Sequence, residues 1–292
     1  MRLTGREVAL ELAPTLGRVT AFGPISAASL LWLNPAPDLT EAWPNWGGDK
    51  LWPTAKPLWP SVHGRAWPPD GVIDGQPWTL ADHGAAGVEL RSAVSADLGV
   101  RVVREARFPS EGPQVVWRNR IERVRASPHP VQVWAVSQVR PPQAVWLGDG
   151  GTRSWTLVTP GRAAPPRLSH DAELSAWQVP LDRPTRWKVG TMGAWIAVAW
   201  EHVVWIQRLR RSPEVGAVYP EASCVQVFAC DAYVEVETLS PLRDLEVGQA
   251  LEAEVAWFLW PIPRGVGARE VLGGWLKCHE GDEGIAACTK AK

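Results

Sequence analysis

The feature of this sequence that most constrains its fold is a long succession of short segments rich in valine and tryptophan. Many of them alternate polar and apolar residues, among them residues 114–124 (QVVWRNRIERV) and 251–260 (LEAEVAWFLW). A period of two is typical of β-strands with one buried face, and turn-forming stretches such as GDGG at 148–151 separate the segments. Helical patterns are weak, an example being AREVLGGWLKC at 268–278. The sequence therefore predicts an all-β, antiparallel fold and excludes a βαβ architecture.

Length and charge narrow the classes of partner. The 292 residues fit one or two domains, since large β-sandwiches reach this size as single units. With 30 basic and 31 acidic residues the net charge is -1, so no basic field is available to hold nucleic acid. No apolar run reaches the roughly 18 to 20 residues of a membrane span, and the N-terminal MRLTGREVALELAPTLG is typical of a strand and not of a signal peptide. We predict a cytoplasmic protein with neither nucleic acid nor membrane as partner.

Charged residues alternate with apolar ones through three successive segments between residues 100 and 139. This pattern predicts a sheet with one dry face and one face that carries a ladder of charges. Cross-strand ion pairs on a solvated face are common and contribute little, so we interpret the ladder as surface. Its members are Arg101, Arg104, Arg118, Arg120, Glu122 and Arg123.

Residues 41–70 (EAWPNWGGDKLWPTAKPLWPSVHGRAWPPD), here named the tryptophan segment, contain five tryptophans and six prolines. Such a segment either covers a core or forms the wall of a binding site. Indole faces can stack on the C–H patches of sugars, and prolines stiffen the segment before a ligand arrives. We expect most of these rings to pack in the core and one or two to line a cleft. The candidates for ligand binding are Trp46, Trp52 and Trp67 of this segment, together with Asp49, Trp134 and Glu235.

Several separated motifs carry a resemblance. They are NWGGDKLWP at 45–53, WPPDGVIDG at 67–75, LGVRVVREARF at 98–108, VQVWAVSQV at 131–139 and the stretch from 219 to 261. In this order they resemble an uncharacterised bacterial family within the galactose mutarotase-like superfamily. The resemblance runs from about residue 7 to about residue 263. It implies one large antiparallel β-supersandwich of the galactose mutarotase type over residues 1–263, with a carbohydrate-sized cleft. Residues 264–292, rich in Gly, Ala and charge, are expected to form a weakly structured or loosely docked C-terminal extension.

The resemblance also implies a catalytic pair. In mutarotase-like enzymes a glutamate on a late strand removes the anomeric proton while a histidine protonates the ring oxygen. In YVEVETLSP at 233–241, Glu237 followed by Thr238 resembles that base, and Glu235 lies on the same side of the strand. Two like charges so close would raise the pKa of at least one of them, as a base working near neutrality requires.

The proton donor is where the sequence departs from the family pattern. His83 in DHGAAG resembles the first histidine, whereas Trp134 and Gln138 occupy the stretch where a second would be expected. Lys50 is a substitute candidate, because an amine after two glycines could reach into a pocket and donate to a ring oxygen or hold an anionic group. Asp49 beside it could accept hydroxyl protons. A surface ion pair between Asp49 and Lys50 in a glycine turn is the competing interpretation.

Three function classes remain open from the sequence. The first is an aldose epimerase or mutarotase that acts on a sugar with Glu237 as base and His83 or Lys50 as acid. The second is a noncatalytic carbohydrate-binding domain, and the third is a tryptophan-lined cleft repurposed for small-molecule biosynthesis, since aromatic walls favour cations. No motif implies an organic cofactor. Sparse cysteines are interpreted as buried free thiols, and no metal is predicted from Cys278, His279 and Cys288, which lack a second matching pair.

Overall fold

The computed structural model describes residues 1–5, 7–84, 87–111, 114–159, 166–181 and 186–279. The strands are β1 (Arg2–Thr4), β2 (Val8–Ala13), β3 (Arg18–Pro24), β4 (Asp49–Trp52), β5 (Thr79–Gly84), β6 (Gly87–Arg91), β7 (Val100–Arg107), β8 (Val115–Arg123), β9 (Trp134–Val139), β10 (Ala144–Gly148), β11 (Thr156–Thr159), β12 (Ser169–Asp171), β13 (Ala176–Val179), β14 (Trp187–Thr191), β15 (Trp195–Trp200), β16 (Val203–Leu209), β17 (Val225–Ala229), β18 (Val234–Leu239) and β19 (Ala250–Pro261). The helices are α1 (Trp59–His63) and α2 (Ala268–His279), with short 3-10 turns at Pro14–Leu16, Lys56–Leu58 and Pro220–Ala222.

Within the described residues these strands form two sheets. The nine-stranded sheet has the order β1-β2-β3-β4-β9-β18-β17-β14-β11, and the ten-stranded sheet has the order β12-β13-β10-β15-β16-β19-β8-β7-β6-β5. Neighbouring strands in both sheets run antiparallel, from β1 against β2 to β7 against β8. The predicted all-β, antiparallel sandwich is therefore confirmed.

The main core lies between the two sheets, where the inward residues of each strand meet. On β17 and β18 these are the valines at every second position, such as Val227 and Val236, both fully buried. Aromatic rings close the gap from both sides, and Phe22 on β3 lies 4.8 Å from Trp257 on β19, ring centre to ring centre. Residues of the opposite parity on β17 and β18 point away from the ten-stranded sheet. We call the surface that they form the outer face of the nine-stranded sheet.

The predicted charge ladder is only partly on the surface. Arg118 pairs with Glu252 on an exposed face, at 2.7 Å, as expected. Arg104 and Arg123 are instead buried, each 2% exposed, so their assignment to the surface is wrong. The reason is parity, because Arg123 lies an odd number of residues from Arg118 and alternate side chains point to opposite faces of a strand. Arg123 turns inward and donates a hydrogen bond to the carbonyl of His129 at 2.6 Å.

The predicted C-terminal extension begins with an ordered helix. Helix α2 packs Leu272 and Trp275 against the outer side of the ten-stranded sheet, where Phe258 lies 5.2 Å from the Trp275 ring. A weakly structured or loosely docked segment does not describe this helix, whose apolar side gives it a face to bury. Residues 280–292 lie outside the described residues. None of the described helices is long and apolar enough to cross a membrane.

Candidate functional site

One row of residues crosses the outer face of the nine-stranded sheet on four neighbouring strands. Lys50 on β4 pairs with Val136 on β9, Val136 pairs with Glu237 on β18, and Glu237 pairs with Gln226 on β17. Because paired residues on neighbouring strands share a face, the four side chains stand side by side. The structure thus brings two of the predicted catalytic residues, Lys50 and Glu237, to one surface.

Glu237 is fully buried at 0% exposure, and its two carboxylate oxygens have different surroundings. Oε2 lies 2.7 Å from Nζ of Lys188 on β14 and accepts a hydrogen bond of 2.6 Å from the indole N–H of Trp134. Oε1 has no hydrogen-bond partner among the described residues. Leaving a buried polar atom unpaired costs about 1 to 3 kcal/mol, so such atoms are uncommon and call for an explanation.

The ammonium group of Lys50 is likewise enclosed. The residue is 1% exposed, and its Nζ finds no hydrogen-bond partner within the described part of the chain. Nζ lies 5.4 Å from the ring centre of Trp52 and 5.8 Å from that of Trp43. Burial lowers the pKa of Lys50 from its usual value, against the opposing attraction of the Glu235 carboxylate. The amine is therefore easier to deprotonate than an exposed lysine.

Glu235 stands in the next row, beside Gln138, whose side-chain amide donates a hydrogen bond of 2.9 Å to Oε1 of Glu235. Burial raises the pKa of Glu235, and the nearby Glu237 carboxylate raises it further, while Lys50 and Lys188 oppose the shift. The pKa of Glu235 is therefore shifted in the direction that the sequence predicts for two neighbouring carboxylates. Glu235 keeps partial exposure, so it marks a less covered side of the site.

The tryptophan segment covers this face. Trp52 meets Trp134 edge to face at 4.7 Å, Trp59 lies 5.5 Å from Trp52, and Trp43 lies 4.8 Å from Trp67. Trp52, Trp59 and Trp134 are buried, whereas Trp67 remains 46% exposed. Most rings of the segment therefore pack as a small second core, and the outermost ring meets solvent. Trp46, just before β4, is half-buried.

Asp74 ties the segment to the sheet, and the sequence pattern does not single it out. Its Oδ2 accepts hydrogen bonds of 2.8 Å from the indole N–H groups of both Trp43 and Trp52. Its Oδ1 lies 2.6 Å from a guanidinium nitrogen of Arg18, which also donates to the carbonyl of Gly47 at 2.8 Å. One buried carboxylate thus fixes the two indoles that flank the Lys50 amine.

Asp49 does not join Lys50 on the outer face. It points into the space between the sheets, where Arg104 lies 2.7 Å away and the hydroxyl of Ser137 donates to it at 2.7 Å. Neighbouring residues of a strand face opposite sides, so Asp49 and Lys50 cannot project together. The competing interpretation, an exposed ion pair between them, is also wrong, because both side chains are buried.

The glycine before this pair is required by the backbone. Gly48 has a φ of +72°, and a Cβ there would lie 2.2 Å from the carbonyl oxygen of Val19, so a larger residue does not fit.

The predicted histidine lies elsewhere. His83 is exposed on β5, the edge strand of the ten-stranded sheet, where it pairs with Val88. A different histidine is closer to the aromatic cluster, since the ring of His63 lies 6.5 Å from that of Trp59. Its Nδ1 lies 2.7 Å from Asp97, and its buried Nε2 has no partner among the described residues. The sequence gives no signal for this pair, which α1 brings together with the loop before β7.

No group of three or more metal-ligating side chains is assembled within the described ranges. Cys224 is a buried free thiol and Cys230 a half-buried one, in accord with the sequence interpretation. For Cys278 that interpretation is wrong, because its sulfur is disulfide-bonded. Cys288 lies outside the described residues. A surface pocket of about 470 Å³ beside β13 is lined by Gln143, Arg167 and Gln178 among others, and none of the predicted site residues reaches it.

Comparisons with known proteins place this geometry in a fold family. No protein-family model matches the sequence, and the comparison with curated protein sequences found no match. A galactose mutarotase-like protein from Lactobacillus casei ATCC 334 superposes with a TM-score of 0.61 at 8% identity, over 89% of this chain and 99% of that one. A protein from Escherichia coli K12, provisionally assigned as an aldose 1-epimerase, gives a TM-score of 0.60 at 12% identity, over 89% of this chain and 98% of that one.

A larger enzyme contains the same architecture as a part. The α-N-acetylgalactosaminidase NagBb from Bifidobacterium bifidum, solved in complex with GalNAc, superposes with a TM-score of 0.54 at 12% identity. The match covers 96% of this chain and 38% of that enzyme. At these identities the likeness concerns the fold. The chain has the galactose mutarotase-like β-sandwich fold that its sequence motifs indicated.

Proposed function

We propose that this protein is a carbohydrate-directed isomerase of the aldose-epimerase type, with its active centre on the outer face of the nine-stranded sheet. The observation that carries the proposal is the pair of buried, unpartnered polar atoms in one row, Oε1 of Glu237 and Nζ of Lys50. An acid and a base on one face, separated only by Val136, are the groups that anomer exchange requires.

The reaction needs two proton transfers. A base takes the proton of the anomeric hydroxyl while an acid protonates the ring oxygen, so the bond between the anomeric carbon and the ring oxygen breaks and an open-chain aldehyde forms. Rotation about the adjacent carbon–carbon bond and reclosure then give the other anomer. General acid or base assistance accelerates such steps by about 10² to 10⁴ for each group.

Glu237 suits the role of base because one oxygen is anchored and the other is unused. Lys188 and Trp134 hold Oε2 at 2.7 and 2.6 Å, which fixes the plane of the carboxylate. Oε1 remains as the proton acceptor. Fixed donors of this kind hold a catalytic group in its working geometry before a substrate binds.

Lys50 suits the role of acid in place of the family's histidine. Its lowered pKa eases the release of a proton to a ring oxygen and its recovery when the ring closes. His83, the other sequence candidate, sits on the edge strand of the opposite sheet. We therefore assign the proton donor to Lys50 and leave His83 out of the proposed mechanism.

The same face offers groups for ligand binding. Glu235 on its less covered side can accept hydroxyl hydrogen bonds, and Trp46 and Trp67 are only partly covered. The segment reaches the late strands here, because the amide of Asn45 donates to the hydroxyl of Tyr233 at 3.3 Å. Sugar-related proteins share this fold, among them NagBb with bound GalNAc. We propose a small carbohydrate as the ligand.

The test is a screen of monosaccharides by thermal shift, followed by exchange NMR at the anomeric carbon. We expect a sugar that raises the melting temperature to show accelerated anomer exchange with the native protein. Glu237→Gln should retain binding but lower the exchange rate by about 10² or more. Glu252→Gln, which alters an exposed ion pair with Arg118, is the matched control and should leave exchange unchanged. Exchange that persists at full rate in Glu237→Gln would remove Glu237 from the mechanism.

A noncatalytic carbohydrate-binding domain is the second candidate. It is favoured by the complete burial of Glu237 against Lys188 and by the distant place of His83. The same screen separates the two, because a binding domain gives thermal shifts with anomer exchange at the solvent rate. The third alternative is a tryptophan-lined cleft repurposed for small-molecule biosynthesis, and a cleft of that kind predicts a pocket almost free of carboxylates. The presence of Glu235 and Glu237 on this face argues against it.

A further inference from the structure

The two lysines of the outer face are held in opposite ways. Nζ of Lys188 lies 2.7 Å from Glu237, so that amine is engaged in an ion pair. Nζ of Lys50 makes no hydrogen bond among the described residues, although the residue is only 1% exposed. An amine that makes no hydrogen bond keeps its lone pair available once it loses a proton.

The surroundings of Lys50 favour that neutral form. Burial between Trp43 and Trp52 removes water from the ammonium group and is the largest influence on its pKa, which it lowers. The carboxylates of Glu235, Asp74 and Asp49 oppose this shift, and the Arg18 guanidinium adds to it. Desolvation beside another cation is one of the ways in which proteins activate lysine as a nucleophile toward carbonyl carbon. The Asp74 carboxylate that holds both indoles keeps this enclosure in place.

We propose that Lys50 is a covalent site, at which its amine forms an imine with the open-chain aldehyde form of a sugar or with a related small aldehyde. The inference rests on the proposed function for the origin of the aldehyde, since ring opening releases one beside an amine that has just given up its proton. Its chemistry extends beyond anomer exchange, because the ligand is held through a carbon–nitrogen bond.

The step balances without an oxidant or a reductant. Glu235, whose pKa is raised by burial, begins the sequence protonated. The Nζ lone pair forms a bond to the aldehyde carbon, the carbon–oxygen π bond breaks, and the oxygen takes the Glu235 proton, to give a carbinolamine that is protonated on nitrogen. Nζ returns one proton to the Glu235 carboxylate, which then protonates the hydroxyl. The hydroxyl leaves as water while the carbon–nitrogen double bond forms, so the products are a protonated imine, water and the Glu235 carboxylate. Addition of water reverses the sequence.

Reductive trapping tests the proposal on the full chain. The protein is incubated with glyceraldehyde, whose three-carbon chain cannot close a pyranose ring, and with sodium cyanoborohydride, and its peptides are then mapped by mass spectrometry. We expect a reduced adduct at Lys50, at a yield at least about tenfold above that at the exposed Lys56 and Lys277. Lys50→Arg should lose that adduct and keep the others.

The outcomes are distinct from those of the isomerase test. Adducts found only at exposed lysines, with Lys50 unmodified, would overturn the proposed imine at Lys50. This holds whether or not anomer exchange is observed. An adduct at Lys50 without sugar-dependent anomer exchange would support the imine and refute the isomerase. The wild-type measurement is decisive by itself, so it does not depend on whether the Lys50→Arg variant folds.

Discussion

Lys50 and Glu237 flank the same residue, since each is paired with Val136 of the strand between them. Two strand spacings of about 4.8 Å place their backbones roughly 10 Å apart, with the buried, apolar Val136 between. The neighbouring row consists of Trp52, Trp134 and Leu239. On the outer face, therefore, the Lys50 amine and the Glu237 carboxylate lie on either side of the apolar Val136. Beside them is a row of aromatic and aliphatic side chains.

The ion pair between Lys188 and Glu237 leads to a first prediction, on stability. Lys188→Met leaves the buried Glu237 carboxylate with an indole donor and no cation. Removing one partner of a buried pair costs about 3 to 5 kcal/mol, so the free energy of unfolding, measured by urea denaturation, should fall by that amount.

The control for this prediction removes both charges. Lys188→Met combined with Glu237→Gln should recover a large part of the loss, because no uncompensated charge remains. Glu252→Gln at the exposed pair with Arg118 should change the free energy of unfolding by at most about 1 kcal/mol. Equal losses in the Lys188→Met variant and the double variant would show that lost packing, and not a stranded charge, is responsible.

Asp74 gives a second prediction, on the order of the aromatic cluster. In Asp74→Asn an amide group must face the Arg18 guanidinium and two indole N–H donors, so at least one buried donor loses its acceptor. We expect a loss of at least about 2 kcal/mol in the free energy of unfolding. The near-ultraviolet circular dichroism of the tryptophans should weaken as well, because Trp43 and Trp52 lose their common anchor.

Asp38→Asn is the matched control for Asp74→Asn. Asp38 is exposed and accepts hydrogen bonds from Thr40, so its substitution should stay within about 0.5 kcal/mol and leave the tryptophan signal intact. A native-like tryptophan spectrum in Asp74→Asn would contradict the anchoring role.

The period-two pattern of the sequence was sufficient to predict the all-β sandwich, because each strand must bury one face. The same rule places Glu235 and Glu237 on one face of β18. The rule also places Asp49 and Lys50 on opposite faces of β4. The sequence interpretation treated the two as one polar pair and did not apply the rule to them. Arg104 was assigned to the wrong face for the same reason.

The assembly of the site required information that no local pattern holds. Lys50 and Glu237 are 187 positions apart in the sequence, and their alignment depends on the register of β4 and β18 on β9. Lys188 reaches Glu237 across β17, and Asp74 reaches the sheet from a loop. Registers between distant strands are set by the packing of the whole core, so these contacts were outside the reach of sequence periodicity.

Cys224 supports a third prediction, on alkaline pH. Burial raises the pKa of its thiol from 9.0 to about 12. The native thiol stays protonated while the thiol of the unfolded chain ionises, so the free energy of unfolding should fall as pH rises from about 9 towards 12. The slope from this group approaches about 1.4 kcal/mol per pH unit. Urea denaturation of Cys224→Ala across this range should show a shallower decline than the native protein, and an identical decline would exclude the thiol as its cause.

Lys50 supports a fourth prediction, in which stability and activity oppose each other. Burial lowers the pKa of Lys50 below its usual 10.5, so the folded protein binds fewer protons at this group than the unfolded chain does. The group therefore destabilises the fold at neutral pH, and this effect diminishes as pH rises towards 10.5. Lys50→Met, similar in length but uncharged, should raise the free energy of unfolding at pH 7 and abolish both anomer exchange and the trapped adduct.

The pH dependence distinguishes this effect from a simple gain in packing. The stability difference between Lys50→Met and the native protein should be smaller at pH 10 than at pH 7, because the native protein alone carries a titrating amine at this position. Lys56→Met at an exposed position beside Trp67 is the control, and its difference should stay small at every pH. A stability gain for Lys50→Met that is constant across this range would mean that the Lys50 amine of the folded protein stays charged throughout it. In that case the indoles around Lys50 would serve to hold an ammonium ion in place, and the amine would be unsuited to proton exchange with a ring oxygen.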